Sequence, residues 1–168
     1  MGEAPQLTLP SESQWEVACR AGADTPFHFG DTLDTTWTNF NGGDTYGRGR
    51  KGAYRQRPVP ISFSGLVNRW GLAEMHGELF EWCGDQWHPN PKGEGWSMAG
   101  LPWEGVDPAL EALGKAQREW RVVRGGSWFI GPDKCRAATR GSAHPAHVST
   151  RNGLRPCCLL PPGSLLGA

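Results

Sequence analysis

The alternation of apolar and polar residues predicts one helix near the N-terminus. Residues 9–22, LPSESQWEVACRAG, have the spacing of an amphipathic helix with a single apolar face. Ser11 precedes Gln14 by three positions, which predicts a capping box at the first turn, and Gly22 is predicted as the C-cap. The apolar face consists of Trp15, Ala18 and Cys19.

Three later segments are predicted as β-strands. LFEWC, residues 79–83, alternates between two faces. WRVVRGGSW, residues 120–128, predicts a strand that ends in a Gly-Gly bulge or turn. NGLRPCCLL, residues 152–160, is predicted as the last strand. On LFEWC the two faces are Leu79, Glu81 and Cys83 against Phe80 and Trp82.

The segments between these elements are mostly irregular. Residues 23–57 are predicted as loop, and residues 58–87 run from a strand-like entry through a turn into the aromatic strand. Residues 88–119 are rich in Pro and Gly and predict an insertion with a local helix near its end. Nine Trp, 24 Gly and 14 Pro in 168 residues favour few long helices, many loops and a core of large aromatic side chains. The sequence therefore predicts one irregular α+β domain.

The charge balance excludes some classes of partner. With 17 basic and 17 acidic side chains the net charge is zero, so no global field draws the chain to nucleic acid or to an anionic membrane. Residues 46–57, YGRGRKGAYRQR, carry five positive charges and no negative one, but Gly-interrupted basic loops are usually just solvated. No apolar run approaches the roughly 18–20 residues of a membrane span, and MGEAPQLTLP is not a secretory signal. We expect a cytoplasmic protein that binds neither nucleic acid nor membrane.

The cysteines and a pair of histidines are candidate metal ligands. Cys157 and Cys158 are adjacent, so on a strand they point to opposite faces and a disulfide between them is not expected. No cysteine pair has zinc-finger spacing, and free thiols that are mostly buried are predicted. His144 and His147 are three apart, but Pro145 prevents a regular helix between them and no third ligand is evident.

Five blocks of the sequence identify a family resemblance. LPSESQWEVACRAG, WGLAEMHGELFEWCGDQW, RVVRGGSW, CRAATR and NGLRP occur in the order and spacing of the formylglycine-generating-enzyme-like (sulfatase-modifying factor) family. The chain resembles that family over residues 8–158, as a single domain followed by a tail at 159–168. The resemblance implies a C-type-lectin-like fold that is α+β with little regular secondary structure. It also implies that either the N-terminal part of the family fold is abbreviated or this chain is a piece of a longer one.

The resemblance implies a specific test for catalysis. Oxidases of this family convert a cysteine of a target sulfatase to formylglycine with Cu(I) held by two cysteine thiolates, because the soft Cu(I) ion prefers soft ligands. The corresponding positions here are Ile130 and Cys135, so one thiolate is missing. We therefore predict a domain without catalysis. A copper-dependent oxidase, completed by a thiol of Cys157 or Cys158, is the alternative.

Structural calcium, which the resemblance also implies, stays an open alternative. Asn39 and the carbonyl of Phe40 match one family site, whereas Lys51 stands where an acid would be and Glu78 where the family has Asn. No other cofactor is predicted. The acidic residues in the middle of the chain are expected to pair with the arginines of its C-terminal third: Glu74, Glu78, Glu81 and Asp85.

A second resemblance concerns the C-terminal third of the chain. Variable proteins of diversity-generating retroelements share the fold and display mutable residues between an RGGSW block and an NGLR block, the arrangement found here. Their diversification acts on adenines in Asn-type codons, from which every residue type of the set below can be reached, whereas Trp, Glu, Gln and Met cannot. We call thirteen such residues the display positions: Phe129, Ile130, Gly131, Thr139, Gly141, Ser142, Ala143, His144, His147, Val148, Ser149, Thr150 and Arg151.

The sequence thus predicts a non-catalytic module that binds an unidentified protein or other macromolecular ligand at the display positions. Phe129 and His144 are the predicted anchors, because aromatic side chains on a rigid platform give large contact area. An ordinary surface loop is the competing interpretation. Two large apolar residues in succession, Phe129 and Ile130, count against it. The oligomeric state is left open.

Overall fold

The computed structural model describes residues 5–89 and 119–159. Residues 90–118, most of the predicted insertion, and residues 160–168, most of the predicted tail, lie outside the described residues. One helix and several short strands among long loops confirm the α+β prediction. The elements are β1 (Gln6–Thr8), α1 (Glu12–Arg20), β2 (Phe80–Gln86), β3 (Arg121–Arg124), a 3-10 helix (Pro132–Cys135), β4 (Arg140–Ala143), β5 (Asn152–Gly153) and β6 (Cys157–Leu159).

Helix α1 starts as the sequence predicts. Ser11 Oγ accepts the Gln14 backbone N–H at 3.1 Å, and Gln14 Oε1 accepts the Ser11 N–H at 2.8 Å, which completes the capping box. Its end differs by one residue. The C-cap is Ala21, left-handed at φ 44°, and its N–H donates to the Val17 carbonyl, while Gly22 follows at φ 89°. Gly22 therefore continues the turn that Ala21 begins.

The main sheet has the order β4-β3-β2-β5, with β5 parallel to β2 and the other neighbours antiparallel. Strand β2 shows the predicted alternation, since Glu81, Cys83 and Asp85 are buried and the residues between them are half-buried. Gly125 and Gly126 follow β3 at φ 89° and 83°, as the predicted Gly-Gly turn requires.

Other strands depart from the prediction because their pairing is non-local. NGLRPCCLL is not one strand: β5 joins the main sheet, while β6 pairs with β1 in a separate two-stranded sheet. Arg155 divides the two, since its guanidinium turns inward to Glu81 and the Ala73 carbonyl. Strands β1 and β4 were not predicted, and residues 58–63 contain no regular strand.

The core consists of two clusters of buried apolar side chains. One packs α1 against the main sheet: Trp15, Cys19, Met75, Cys83, Val122 and Ala137. The other, which we call the second core cluster, lies among the loops: Phe27, Leu33, Phe40 and Cys135. No helix among the described residues is long and apolar enough to cross a membrane.

A buried ionic network joins α1 to the sheet. Glu12 accepts bonds from Arg124 at 3.1 Å and from Arg140 at 2.6 Å, and Arg124 also binds Glu16. The predicted pairing of the central acids with C-terminal arginines is right for Glu81, which binds Arg155 at 2.7 Å. Arg124 of β3 and Arg140 of β4 pair instead with acids of α1, which the prediction did not include.

Candidate ligand-binding surface

None of the display positions is buried. Five are exposed: Phe129, His147, Val148, Thr150 and Arg151; the other eight are half-buried. The framework blocks around them contribute the buried residues Ser127, Trp128, Cys135 and Ala137. Other framework residues are accessible, since Ala138, Leu154 and Pro156 are exposed, so the predicted division into fixed and interchangeable positions agrees with the division into core and surface only in part.

An aromatic and cationic patch surrounds Phe129 on this surface. Trp128 is 9 % exposed and Phe129 is 40 % exposed, although the two are adjacent and their rings meet edge to face at 5.7 Å. The Arg151 guanidinium lies 3.4 Å from the centroid of the Phe129 ring, a cation–π contact. Trp128 Nε1 donates to the Thr150 carbonyl at 3.2 Å. Residues distant in sequence thus meet in one aromatic and cationic patch.

Several display positions lie on a strand rather than on a loop. Gly141, Ser142 and Ala143 belong to β4, an edge of the main sheet in the described part of the chain. His144 follows the strand, and its Nε2 lies 2.7 Å from Glu119 Oε2. Residues 140–143 are therefore strand and residues 144–151 are loop, so the display positions do not all lie on one surface loop.

Phe80, which sequence reasoning did not select, contacts both parts of the surface. A Cβ atom at Gly141 would lie 3.4 Å from Phe80 Cε1, and the Phe80 N–H donates to the Arg151 carbonyl at 2.8 Å. The sequence placed Phe80 on the face of β2 opposite Glu81. Only the pairing of β2 with β3 and β5 brings it beside the display positions, so no local signal could have identified it.

Two display positions have less freedom than the others. The Ile130 side chain packs against the second core cluster, and its carbonyl accepts the Asn41 N–H at 2.9 Å. A Cβ at Gly141 would lie 3.1 Å from Val123 Cγ2 and 3.3 Å from the Val123 carbonyl oxygen. We expect these two positions to accept fewer residue types, because larger side chains would displace core atoms.

The buried side chains of Cys19 and His76, near α1, are not arranged for nucleophilic or acid–base chemistry. The His76 Nδ1 lies 2.8 Å from the Cys135 carbonyl, and its Nε2 accepts the His28 N–H, which fixes a neutral imidazole. Burial lowers the pKa of His76 to about 3 and raises the pKa of Cys19 to about 12. A neutral imidazole 3.6 Å from a neutral, enclosed thiol has a structural role.

The family assignment rests on a match over nearly the whole chain. The family model of the sulfatase-modifying factor enzyme 1-like domain matches residues 2–158. The chain belongs to this family. Its structure is similar to that of Treponema denticola variable protein 1, with a TM-score of 0.64 and 23 % identity over 89 % of this chain and 46 % of the other. That likeness shows a shared fold and confirms the predicted architecture.

Proteins with sequences similar to this chain have been given different functional names. The chain is 30 % identical to the serine/threonine-protein kinase pkn1 of Chlamydia caviae and covers 20 % of it. It is 31 % identical to the formylglycine-generating enzyme of Streptomyces coelicolor and covers 45 % of it. Each match covers 88 % of this chain. The chain thus spans from a fifth to about half of these relatives, so their whole-protein activities do not transfer directly.

The residues at the family's copper positions do not fit Cu(I). Ile130 offers no ligand atom, and Cys135 is enclosed in the second core cluster, where its Sγ donates to the Gly131 carbonyl. Burial raises the pKa of the Cys135 thiol, which opposes the thiolate that Cu(I) requires. Cys157 and Cys158, the alternative partners, lie on β6. They are beside Trp15 of α1 and beside Pro10, which precedes that helix, rather than in the second core cluster.

The residues at the matched calcium position also fit poorly. Asn39 Oδ1 is buried and accepts no hydrogen bond from the described residues, so with the Phe40 carbonyl it offers a cation two oxygens at most. The Glu78 oxygens are engaged by the Val59 N–H and by Asn39 Nδ2, whereas Ca²⁺ requires six to eight oxygen ligands. Among residues 5–89 and 119–159, no three His, Cys, Asp or Glu side chains gather as a metal-binding group.

Proposed function

We propose that this domain is a non-catalytic ligand-binding module whose display positions vary while its framework stays fixed. The observation that carries the proposal is the placement of the display positions. All of them keep accessible surface, whereas four framework residues that flank or separate them in sequence are buried: Ser127, Trp128, Cys135 and Ala137. Substitutions at exposed positions such as His147, Val148 and Thr150 usually change stability by no more than about 0.5 kcal/mol, so these positions can change without loss of the fold.

The chemistry of the patch around Phe129 supports a protein ligand. Aromatic and arginine side chains are enriched at the centres of protein interfaces. The Phe129 ring under the Arg151 guanidinium offers such a centre. The structural likeness to a protein named a variable protein agrees with this role. Localisation in the cytoplasm and the absence of nucleic-acid and membrane partners stay predictions.

The decisive experiment is deep sequencing of the gene across a natural population. The proposal expects amino-acid changes concentrated at the display positions, with Trp128 and Arg155 unchanged and codons 69–87 as the internal control. A nearby reverse-transcriptase gene with a near-copy of codons 121–156 would add independent support. Equal variation in both codon ranges would refute the proposal.

The alternative function, a copper-dependent oxidase of a protein cysteine, is favoured by the formylglycine-generating enzymes among the relatives. It predicts Cu(I) binding that is lost in a Cys135→Ala variant, followed by oxidation of a substrate thiol. The proposed function predicts equal and weak Cu(I) binding by both proteins and no turnover. Anaerobic titration with a Cu(I) chelator as competitor separates the two.

A further inference from the structure

The exposed positive charges of residues 46–57, which we call the basic segment, form no ion pair within the described part of the protein. One of them acts on a nearby carboxylate, since hydrogen bonds from Thr36 and then the charge of Arg50 lower the pKa of Asp34. Arg48, Arg50, Lys51 and Arg57 are all exposed, and none forms an ion pair among residues 5–89 and 119–159. The fifth cation, Arg55, is half-buried with its guanidinium 4.4 Å above the Phe63 ring. Grouped like charges repel one another, and a negatively charged partner would relieve that repulsion.

The backbone of the basic segment is anchored. The Gly49 N–H donates to the Tyr46 carbonyl and the Gly52 N–H to the Gly42 carbonyl, both at 2.9 Å, and the Ala53 N–H donates to Thr35 Oγ1 at 3.1 Å. A Cβ atom at Gly52 would lie 2.1 Å from Thr35 Oγ1, so only glycine allows this approach. The cations therefore project from a positioned backbone, which lowers the entropy lost on binding.

The basic segment borders the display positions. Tyr46 at its start and Ile130 pack against the same second core cluster. The Asn41 N–H donates to the Ile130 carbonyl at 2.9 Å, and Asn39 Nδ2 donates to the Arg57 carbonyl at 2.9 Å. The end of the segment is thus bound to residue 39, and residue 41 is bound to the chain at Ile130, so residues 39–41 connect the segment to a display position.

We propose that the basic segment is the electrostatic extension of the ligand surface and binds an acidic stretch of a protein partner. This inference rests on the proposed function, because it assigns a charge to the partner of the display positions. A protein fits better than a nucleic acid because the segment adjoins the chain that carries Ile130, a display position whose apolar side chain suits contact with a protein rather than with a phosphate backbone.

The test uses the full chain and a fluorescein-labelled peptide of glutamate and alanine, with a glutamine–alanine peptide of equal length as control. Fluorescence anisotropy is measured for the wild type, for the quadruple variant Arg48→Gln, Arg50→Gln, Lys51→Gln and Arg57→Gln, and for Arg69→Gln, which removes an exposed cation elsewhere. We expect the acidic peptide to bind the wild type and Arg69→Gln alike, and the quadruple variant about tenfold or more weakly. Raising NaCl from about 50 mM to about 300 mM should weaken the binding.

Equal binding of the two peptides, or equal binding by the quadruple variant, would overturn the inference. Tighter binding of a short DNA duplex or of phosphatidylglycerol vesicles than of the acidic peptide would also overturn it, in favour of a nucleic acid or a membrane. Circular dichroism checks that the quadruple variant is folded. The peptide assay reports on the basic segment alone, whereas population sequencing reports on the display positions, so either proposal can fail while the other experiment succeeds.

Discussion

Truncation of the adjacent residues Trp128 and Phe129 to Ala should lower the free energy of unfolding by very different amounts. The difference tests whether the Phe129 side chain is available to a ligand or belongs to the core. Trp128 is 9 % exposed, so Trp128→Ala should lower the free energy of unfolding by about 3–5 kcal/mol. Complete burial of a Phe side chain is worth roughly 1.5–3 kcal/mol. Because 40 % of Phe129 is exposed, Phe129→Ala should cost about 1–2 kcal/mol, including its contact with Arg151.

The assay is urea denaturation followed by circular dichroism, with Val148→Ala as the matched control on the same surface. Val148 is 94 % exposed, so that substitution should change the free energy of unfolding by less than about 0.5 kcal/mol. The expected order of loss is Trp128 first, Phe129 second and Val148 last. If Phe129→Ala destabilised the protein as much as Trp128→Ala, Phe129 would be a core residue and the proposed anchor would be refuted.

Three further outcomes are expected. Arg124→Met should cost about 3–5 kcal/mol in urea denaturation, because it leaves the buried Glu12 carboxylate with fewer cations; a loss below about 1 kcal/mol would contradict the ionic network. Burial and the neighbouring Glu78 raise the pKa of Glu74 from 4.5 to about 7, so the folded state binds this proton more tightly and stability should fall as pH rises from about 4.5 through 7. Glu74→Gln should reduce that slope, and an unchanged slope would refute the assignment. A thiol reagent should modify the exposed Cys158 in the folded protein but the buried Cys135 only after unfolding, counted by mass spectrometry.

Sequence reasoning succeeded where the cause is local. The capping box of Ser11 and Gln14, the alternation along β2 and the Gly-Gly turn each depend on residues a few positions apart. Short-range sterics and hydrogen bonding decide these features, so the amino-acid sequence is sufficient to predict them. The extent of the proposed ligand surface, which the framework blocks delimit in the sequence, stays a prediction.

The missed features depend on contacts between distant parts of the chain. RGSA, residues 140–143, has no strong β-propensity and forms β4 only because β3 lies beside it. Phe80 joins the ligand surface through its pairing partners, and Arg155 interrupts the predicted last strand because Glu81 lies within reach. The pairing of individual acids with individual arginines could not be predicted either. Glu12 and Arg140, for example, are far apart in sequence but meet at 2.6 Å.

The ionic network explains how the fold can stay fixed while the display positions vary as proposed. Strand β4 is held from its inner side, where Arg140 binds Glu12 on α1 and the His88 carbonyl. None of these bonds uses the side chains of residues 141–143, and the β3 pairing of those residues is made by backbone groups. Substitution of the Ser142 and Ala143 side chains therefore leaves the bonds that position the strand intact, whereas a side chain at Gly141 would press on Val123. The ion pairs of Arg140 thus hold the strand in place without the side chains that are proposed to vary.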